Sequence, residues 1–287
     1  MKLHTECLAC IENQASRVCD LLKLNDLQRQ DILQLAQNHI AHFDFTQTPP
    51  HNATPLYEAM AAYLGVEDLY KELKTDASVN ARKFIPLCEK AIASSANPLL
   101  SATKTAVAGN VIDLASVMMY DLHEELERIY DTPFAIDDFL ALQHILPKTR
   151  TLVYLADNAG EEIFDTLYLQ TIKTLFPMMQ IYYFVRGKPI INDLTYADAL
   201  ASRVDEVATI IDSGVPTPGL ALEFMNENAK AIFEKAECIL SKGMGNYECL
   251  GDIKGLPIFF LFKVKCSVVA RDVGATLGDI VCKKGKI

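Results

Sequence analysis

The feature that most constrains this chain is a rhythm in its second half. Four short apolar runs occur there: Thr151-Leu152-Val153-Tyr154-Leu155, Ile181-Tyr182-Tyr183-Phe184-Val185, Val207-Ala208-Thr209-Ile210-Ile211 and Cys238-Ile239-Leu240. Segments of helical spacing separate them, at 163–176, 195–202 and 219–235. A strand that is apolar on both sides must be covered on both faces, and strands joined through helices run parallel. The pattern therefore predicts an α/β fold, a three-layer αβα sandwich around a mostly parallel, Rossmann-like sheet. Runs at Pro257–Phe262 and Ser267–Ala270 predict a fifth and a sixth strand.

The first ~150 residues have a different texture. Leu21, Leu22, Leu24 and Leu27, then Ile32, Leu33, Leu35, Ala36, Ile40 and Phe43, recur at helical spacing, with Asp26 in position to cap the second helix. Thr48-Pro49-Pro50 breaks the pattern and His51-Asn52-Ala53-Thr54 reads as loop. A helix is expected from Pro55 to about Tyr63, ended by Gly65, and further helix from Val66 to about Ala96, interrupted at Pro98. No strong strand signal precedes residue 150. The expected organisation is an N-terminal helical region, 1–100, packed on an αβα domain, 101–287.

Composition removes several classes of function. A net charge of −10 over 287 residues is not the footprint of a duplex-binding protein. The charge is uneven: residues 238–287 carry +4, leaving −14 on the rest, so that this segment is a candidate to face an anion. No apolar stretch approaches the roughly 20 residues that span a membrane, and the first residues lack the apolar run of a signal peptide. A cytoplasmic protein is expected, whose eight cysteines are thiols or metal ligands rather than a disulfide framework. Homo-oligomerisation is left open.

In an open α/β sheet, ligands bind beyond the carboxyl ends of the strands. Those positions carry Asp157-Asn158-Ala159-Gly160-Glu161-Glu162, Arg186-Gly187-Lys188-Pro189 with Asn192-Asp193, Asp212-Ser213-Gly214, and Lys242-Gly243-Met244-Gly245-Asn246-Tyr247-Glu248. One polar, glycine-bearing turn is routine; four at successive strand ends are not. Asp157, Asn158 and Asp193 offer the oxygen donors that hard divalent cations take, although Asp157-Asn158 alone would also suit a helix cap. Lys242, between a strand and a glycine-rich loop, is placed to neutralise phosphate charge; its removal is expected to spare the fold and cost about two orders of magnitude in rate. Neither GxxxxGK[ST] nor GxGxxG is present. Cys7 and Cys10 form a lone Cys-x-x-Cys, with no second pair to close a zinc ribbon; two thiols packed on one helix explain it as well as a separate soft-metal site does.

Together with Gly109-Asn110-Val111-Ile112-Asp113, these motifs resemble the damage-control phosphatase family, first catalogued as domain of unknown function 89, in its microbial branch with an N-terminal Cys-x-x-Cys. The resemblance spans nearly the whole chain. It implies metal-dependent hydrolysis of sugar phosphates or related, often damaged, phosphometabolites. It also implies a nickel, cobalt, manganese or magnesium ion held by Asp157, Asn158 and Asp193. Asn110, Asp113, Asp157 and Lys242 are then the catalytic candidates, with Glu161, Arg186, Ser213, Gly214 and Gly243 beside Asn110 and Lys242 at the substrate. Glu237 departs from the aspartate expected before the Lys-Gly strand. Other readings are a carboxyl methyltransferase, for which no adenosylmethionine loop is visible, and a non-catalytic metal-binding protein.

Overall fold

The computed structural model describes residues 1–111 and 119–286. Seven helices come first: α1 (Thr5–Leu21), α2 (Asp26–Ile40), α3 (Pro49–Leu64), α4 (Lys71–Arg82), α5 (Ile85–Ser94), α6 (Pro98–Val111) and α7 (Met119–Asp131). The sheet begins with β1 (Ile136–Asp137), followed by α8 (Phe139–Ile145), β2 (Thr151–Leu155), α9 (Glu161–Leu175), β3 (Gln180–Val185), α10 (Tyr196–Ala201) and β4 (Thr209–Asp212). It continues through α11 (Glu227–Phe233), β5 (Cys238–Lys242), α12 (Gly243–Leu250), β6 (Ile258–Lys263), α13 (Ser267–Val273) and β7 (Ile280–Lys284).

The seven strands stand in the order β1-β7-β6-β5-β2-β3-β4, all parallel to their neighbours except β6 and β7. From β2 the chain winds outward through β3 to β4, then returns to lay β5 on the other side of β2. The winding reverses between β2 and β5, and that crevice is where such a sheet binds ligands.

Alternation along the strands sorts the core into two layers. Leu152, Tyr154 and Leu240 face one side, with α5, α6, α8 and α9. Val153, Leu155 and Ile239 face the other, with α1, α2, α3, α11, α12 and α13. The N-terminal helices divide between the faces: α1–α3 join the second layer, whereas α4–α7 contribute Ala81, Cys88, Ala106 and Ile129 to the first.

Several local expectations are corrected. Ser267–Ala270 is not a strand but the first half of α13, closed by Gly274 at φ +79°. A run of four apolar residues fits helix and strand alike, and docking against the second core layer decides. The remaining strand is β7, antiparallel to β6, and a two-residue strand, β1, precedes residue 150. Asn25, not Asp26, caps α2: its side chain accepts from the Gln28 amide while Gln28 accepts from the Asn25 amide, a capping box. His51–Thr54 is helical, because Thr48 caps α3 and the two prolines occupy first-turn positions where no amide hydrogen is needed. The expected end at Gly65, φ +67°, stands. No helix among the described residues is long and apolar enough to cross a membrane.

Candidate active site at the switch point

The site is built where β2, β3 and β5 end. Leaving β2, the backbone carries Asp157 and Asn158, turns at Gly160 (φ +93°) and enters α9 at Glu161. After β3 a loop returns to bring Asp193 alongside: Asn158 and Asp193 form an isolated antiparallel bridge, with Leu194 N–H donating to Asp157 C=O (2.9 Å) and Ala159 N–H to Asn192 C=O (2.8 Å). Two strand ends are thus stitched together, which places two predicted donors side by side.

Asp157 and Asp193 are buried, with 8% and 3% exposure. Burial pushes the Asp157 carboxyl well up, and the charges of Glu161 and Asp193 push it further; Arg186 and Lys265 oppose. Asp193 is raised too, by burial, against the pull of Arg186. Three carboxyls crowded in a dry crevice repel one another and favour a cation. Here the Asn158 amide nitrogen bridges two of them, donating to Asp157 Oδ2 (2.9 Å) and Glu161 Oε1 (3.1 Å). Among the described residues no group of three or more His, Cys, Asp or Glu side chains converges into a ready-made metal cage. As a donor set, carboxylate and amide oxygens nevertheless suit a hard divalent ion.

Lys242 ends β5 as expected, but deeper than a strand-end position implies. Its ammonium is wholly enclosed and donates to Glu161 Oε2 (3.0 Å) and Asp165 Oδ1 (2.7 Å). Burial alone would lower its pKa; the charges of Asp165 and Glu161 outweigh burial and raise it. Asp165 also accepts from Tyr154 (2.6 Å) and Tyr183 (2.8 Å). Lys242 therefore fixes Glu161 from beneath. Arg186 is likewise buried: Nε donates to Asp193 Oδ2 (2.7 Å) and a terminal nitrogen to Asn246 Oδ1 (3.1 Å). Ser213 donates its hydroxyl to Val185 C=O (2.6 Å) and accepts from Val215 N–H (3.2 Å), so it is engaged in its own turn. Gly214 lies against Gly187, where a Cβ would strike backbone, and both brace the Arg186 loop. Gly243, φ +75°, lies so close to Asp157 that a Cβ would overlap its carboxylate. Asn110 is in α6, and neighbouring Gly109 abuts Glu161; Asp113 lies outside the described residues.

Three residues were not singled out from the sequence, although Asn246 stands within the strand-end motif that opens at Lys242. Asp165 is one helical turn from Glu161 on α9, a spacing that puts both on one face. Asn246, fully buried, donates to Ala156 C=O (3.0 Å) and Lys242 C=O (2.8 Å) while accepting from Leu220 N–H (2.8 Å), which ties β2, β5 and the Arg186 side chain together. Lys265, exposed between β6 and α13, is near enough for its charge to favour the ionised Asp157. Its signal was the basic excess of the C-terminal segment.

The turn that delivers Asp193 is unusual. Asp193 N–H donates to Ile190 C=O (3.0 Å), and Ile191 stands at φ +47°. A β-branched residue there costs on the order of 1–3 kcal/mol.

Glu248 of α12 lines the neighbouring cavity, and burial pushes its carboxyl up to about 7 against the opposing amino-terminal charge. A raised folded pKa means that the native state holds the proton longer than the unfolded chain. Glu248 therefore subtracts stability as pH rises from about 4.5 to 7. Because the residue is only half-buried, about 1 kcal/mol is expected. Glu248→Gln should gain that much relative to wild type at pH 8 and nothing at pH 4; urea titrations at both values check it.

An open sheet with buried carboxylates gathered at its switch point defines an α/β protein with a polar, ligand-binding crevice at its strand ends. The chain belongs to the family of damage-control phosphatases: the ARMT1-like damage-control phosphatase domain matches residues 3–281. It is 29% identical to the damage-control phosphatase PH1575 of Pyrococcus horikoshii over all of this chain and 99% of that protein. It is 35% identical to a damage-control phosphatase of Archaeoglobus fulgidus over 81% of each. The crystal structure of a DUF89 family protein from P. horikoshii superposes with a TM-score of 0.92 at 29% identity, covering both chains completely.

Proposed function

We propose that this chain is a metal-dependent phosphomonoester hydrolase of small phosphorylated metabolites such as sugar phosphates. A divalent nickel, cobalt, manganese or magnesium ion would be held by Asp157, Asn158 and Asp193. The observation that carries the reading is the buried trio Asp157, Glu161 and Asp193, gathered at the switch point by the Asn158–Asp193 bridge, whose charges repel one another. When bound, the cation polarises a phosphoryl oxygen and offsets the charge of the transferring group. Arg186 and the Asn158–Asp193 bridge orient the carboxylates, and Lys242 clamps Glu161, so that little reorganisation is left for the reaction. The amino terminus of α12 starts at Gly243 beside Asp157 and has no side-chain cap, which suits an anion. Lys265, exposed on the loop after β6, adds positive charge where the phosphate would approach.

The test is phosphate release from a panel of sugar phosphates, with each of the four metals and with chelator. Turnover should require metal. Lys265→Ala should keep the wild-type melting temperature and lose roughly a hundredfold in kcat/KM. Absence of metal-dependent release from every ester would refute the reading, and a loss under threefold would remove Lys265 from it.

A further inference from the structure

Three cavities surround the loop that delivers Asp193, of about 200, 340 and 410 Å³, and Ile191 lines all three. The largest reaches Lys265, Met244 and Gly245, the last two in the first turn of α12; the smallest reaches Ala159 and Asn192, on the stitched turn itself. Ile191 is thus a shared wall, two residues from Asp193, half-buried with its side chain packed on the second core layer.

Its backbone makes that wall costly. The turn Ile190–Asp193 is closed by a hydrogen bond, and among its residues only Ile191 has positive φ. That is the pattern of a type II′ turn, whose second position ordinarily belongs to glycine. Glycine would adopt this backbone freely, so the isoleucine is held there for its side chain. We infer that Ile191 is the specificity-determining residue of the cleft: it partitions the space around the turn that carries Asn192 and Asp193 and excludes phosphate esters with bulky leaving groups. This inference rests on the phosphatase reading and deepens it.

The experiment compares wild type with Ile191→Val, which trims the wall and keeps its branch, and Ile191→Gly, which removes the wall and relieves the turn. Phosphate release is measured from glycerol phosphate, a compact ester, and from 4-methylumbelliferyl phosphate, a bulky one. The ratio of kcat/KM, bulky over compact, should rise by about tenfold or more in Ile191→Gly and by a smaller step in Ile191→Val. The Ile191→Gly melting temperature should stay within about 3 °C of wild type, because turn relief offsets the lost packing. A ratio unchanged within about twofold in either folded variant overturns the inference. So does equal loss on both esters, or an Ile191→Gly chain that does not fold, since either makes Ile191 a packing residue. Calorimetric titration with methylphosphonate and phenylphosphonate, with manganese present, separates the two readings. If wild type releases phosphate from neither ester nor from any sugar phosphate of the panel, the hydrolase reading falls, while the shift in phenyl-over-methyl affinity still decides the wall.

Discussion

Alanine in place of Lys242 is expected to cost the fold about 3–5 kcal/mol, not rate alone. The strand-end position suggests an ammonium offered to phosphate, and on that view Lys242→Ala folds normally. The structure instead encloses the ammonium between Glu161 and Asp165, with no exposed surface. Removing it leaves two carboxylates facing each other in a dry layer beneath the site. Asp165 already spends its oxygens on two tyrosines, and Glu161 is held by Asn158, so neither can turn to water. A melting temperature roughly 10 °C below wild type is expected, with partial recovery in the double variant Lys242→Ala, Asp165→Asn, which deletes one of the orphaned charges. A shift under about 2 °C would return Lys242 to the surface of the site as a phosphate ligand.

Gly243→Ala should be comparably severe, and its signature should be chemical. The residue stands at φ +75°, a conformation that an alanine adopts only under strain, and its missing Cβ is the space that Asp157 occupies. The added methyl pushes either α12 or Asp157 out of place. A displacement near 1 Å in a reacting constellation costs about a hundredfold, and this one falls on a proposed metal donor as well. Loss of turnover by a thousandfold or more, together with weaker manganese binding by calorimetry, is the expected result. A folded Gly243→Ala chain with wild-type affinity for manganese would show that Asp157 is not a ligand.

The strands β2 to β5 and most of the site were legible because parallel strands covered on both faces leave uninterrupted apolar runs with polar ends. What the runs do not announce is direction. Lys242 shares the parity of Leu240, which packs in the α9 layer, so its side chain turns into the core rather than out of the sheet end. Reading parity along β5 would have shown this. Asp165 was hidden because an acid inside a helix ordinarily faces solvent, and Asn246, visible within its motif, carried no sign that it turns into the core. Ile191 was hidden because nothing in Ile-Ile-Asn-Asp marks which residue must adopt a left-handed backbone. The strand β7 was missed, and α13 mistaken for one, where apolar segments shorter than six residues carry no period.

The order of strands has a consequence for how the chain can be made. β1, at residue 136, pairs with β7, at residue 281, and α6, near residue 105, lies over β6, near residue 260. A ribosome delivers the helical half long before the strands that it must cover. Once α9 emerges it covers much of α6, but the part of α6 that lies over β6 stays bare until β6 is made, and β1 has no partner strand until β7 follows. Chains truncated before β7 should keep β1 and the β7-facing edge of β6 unpaired, and are expected to be held by holdase chaperones where the full sheet is not.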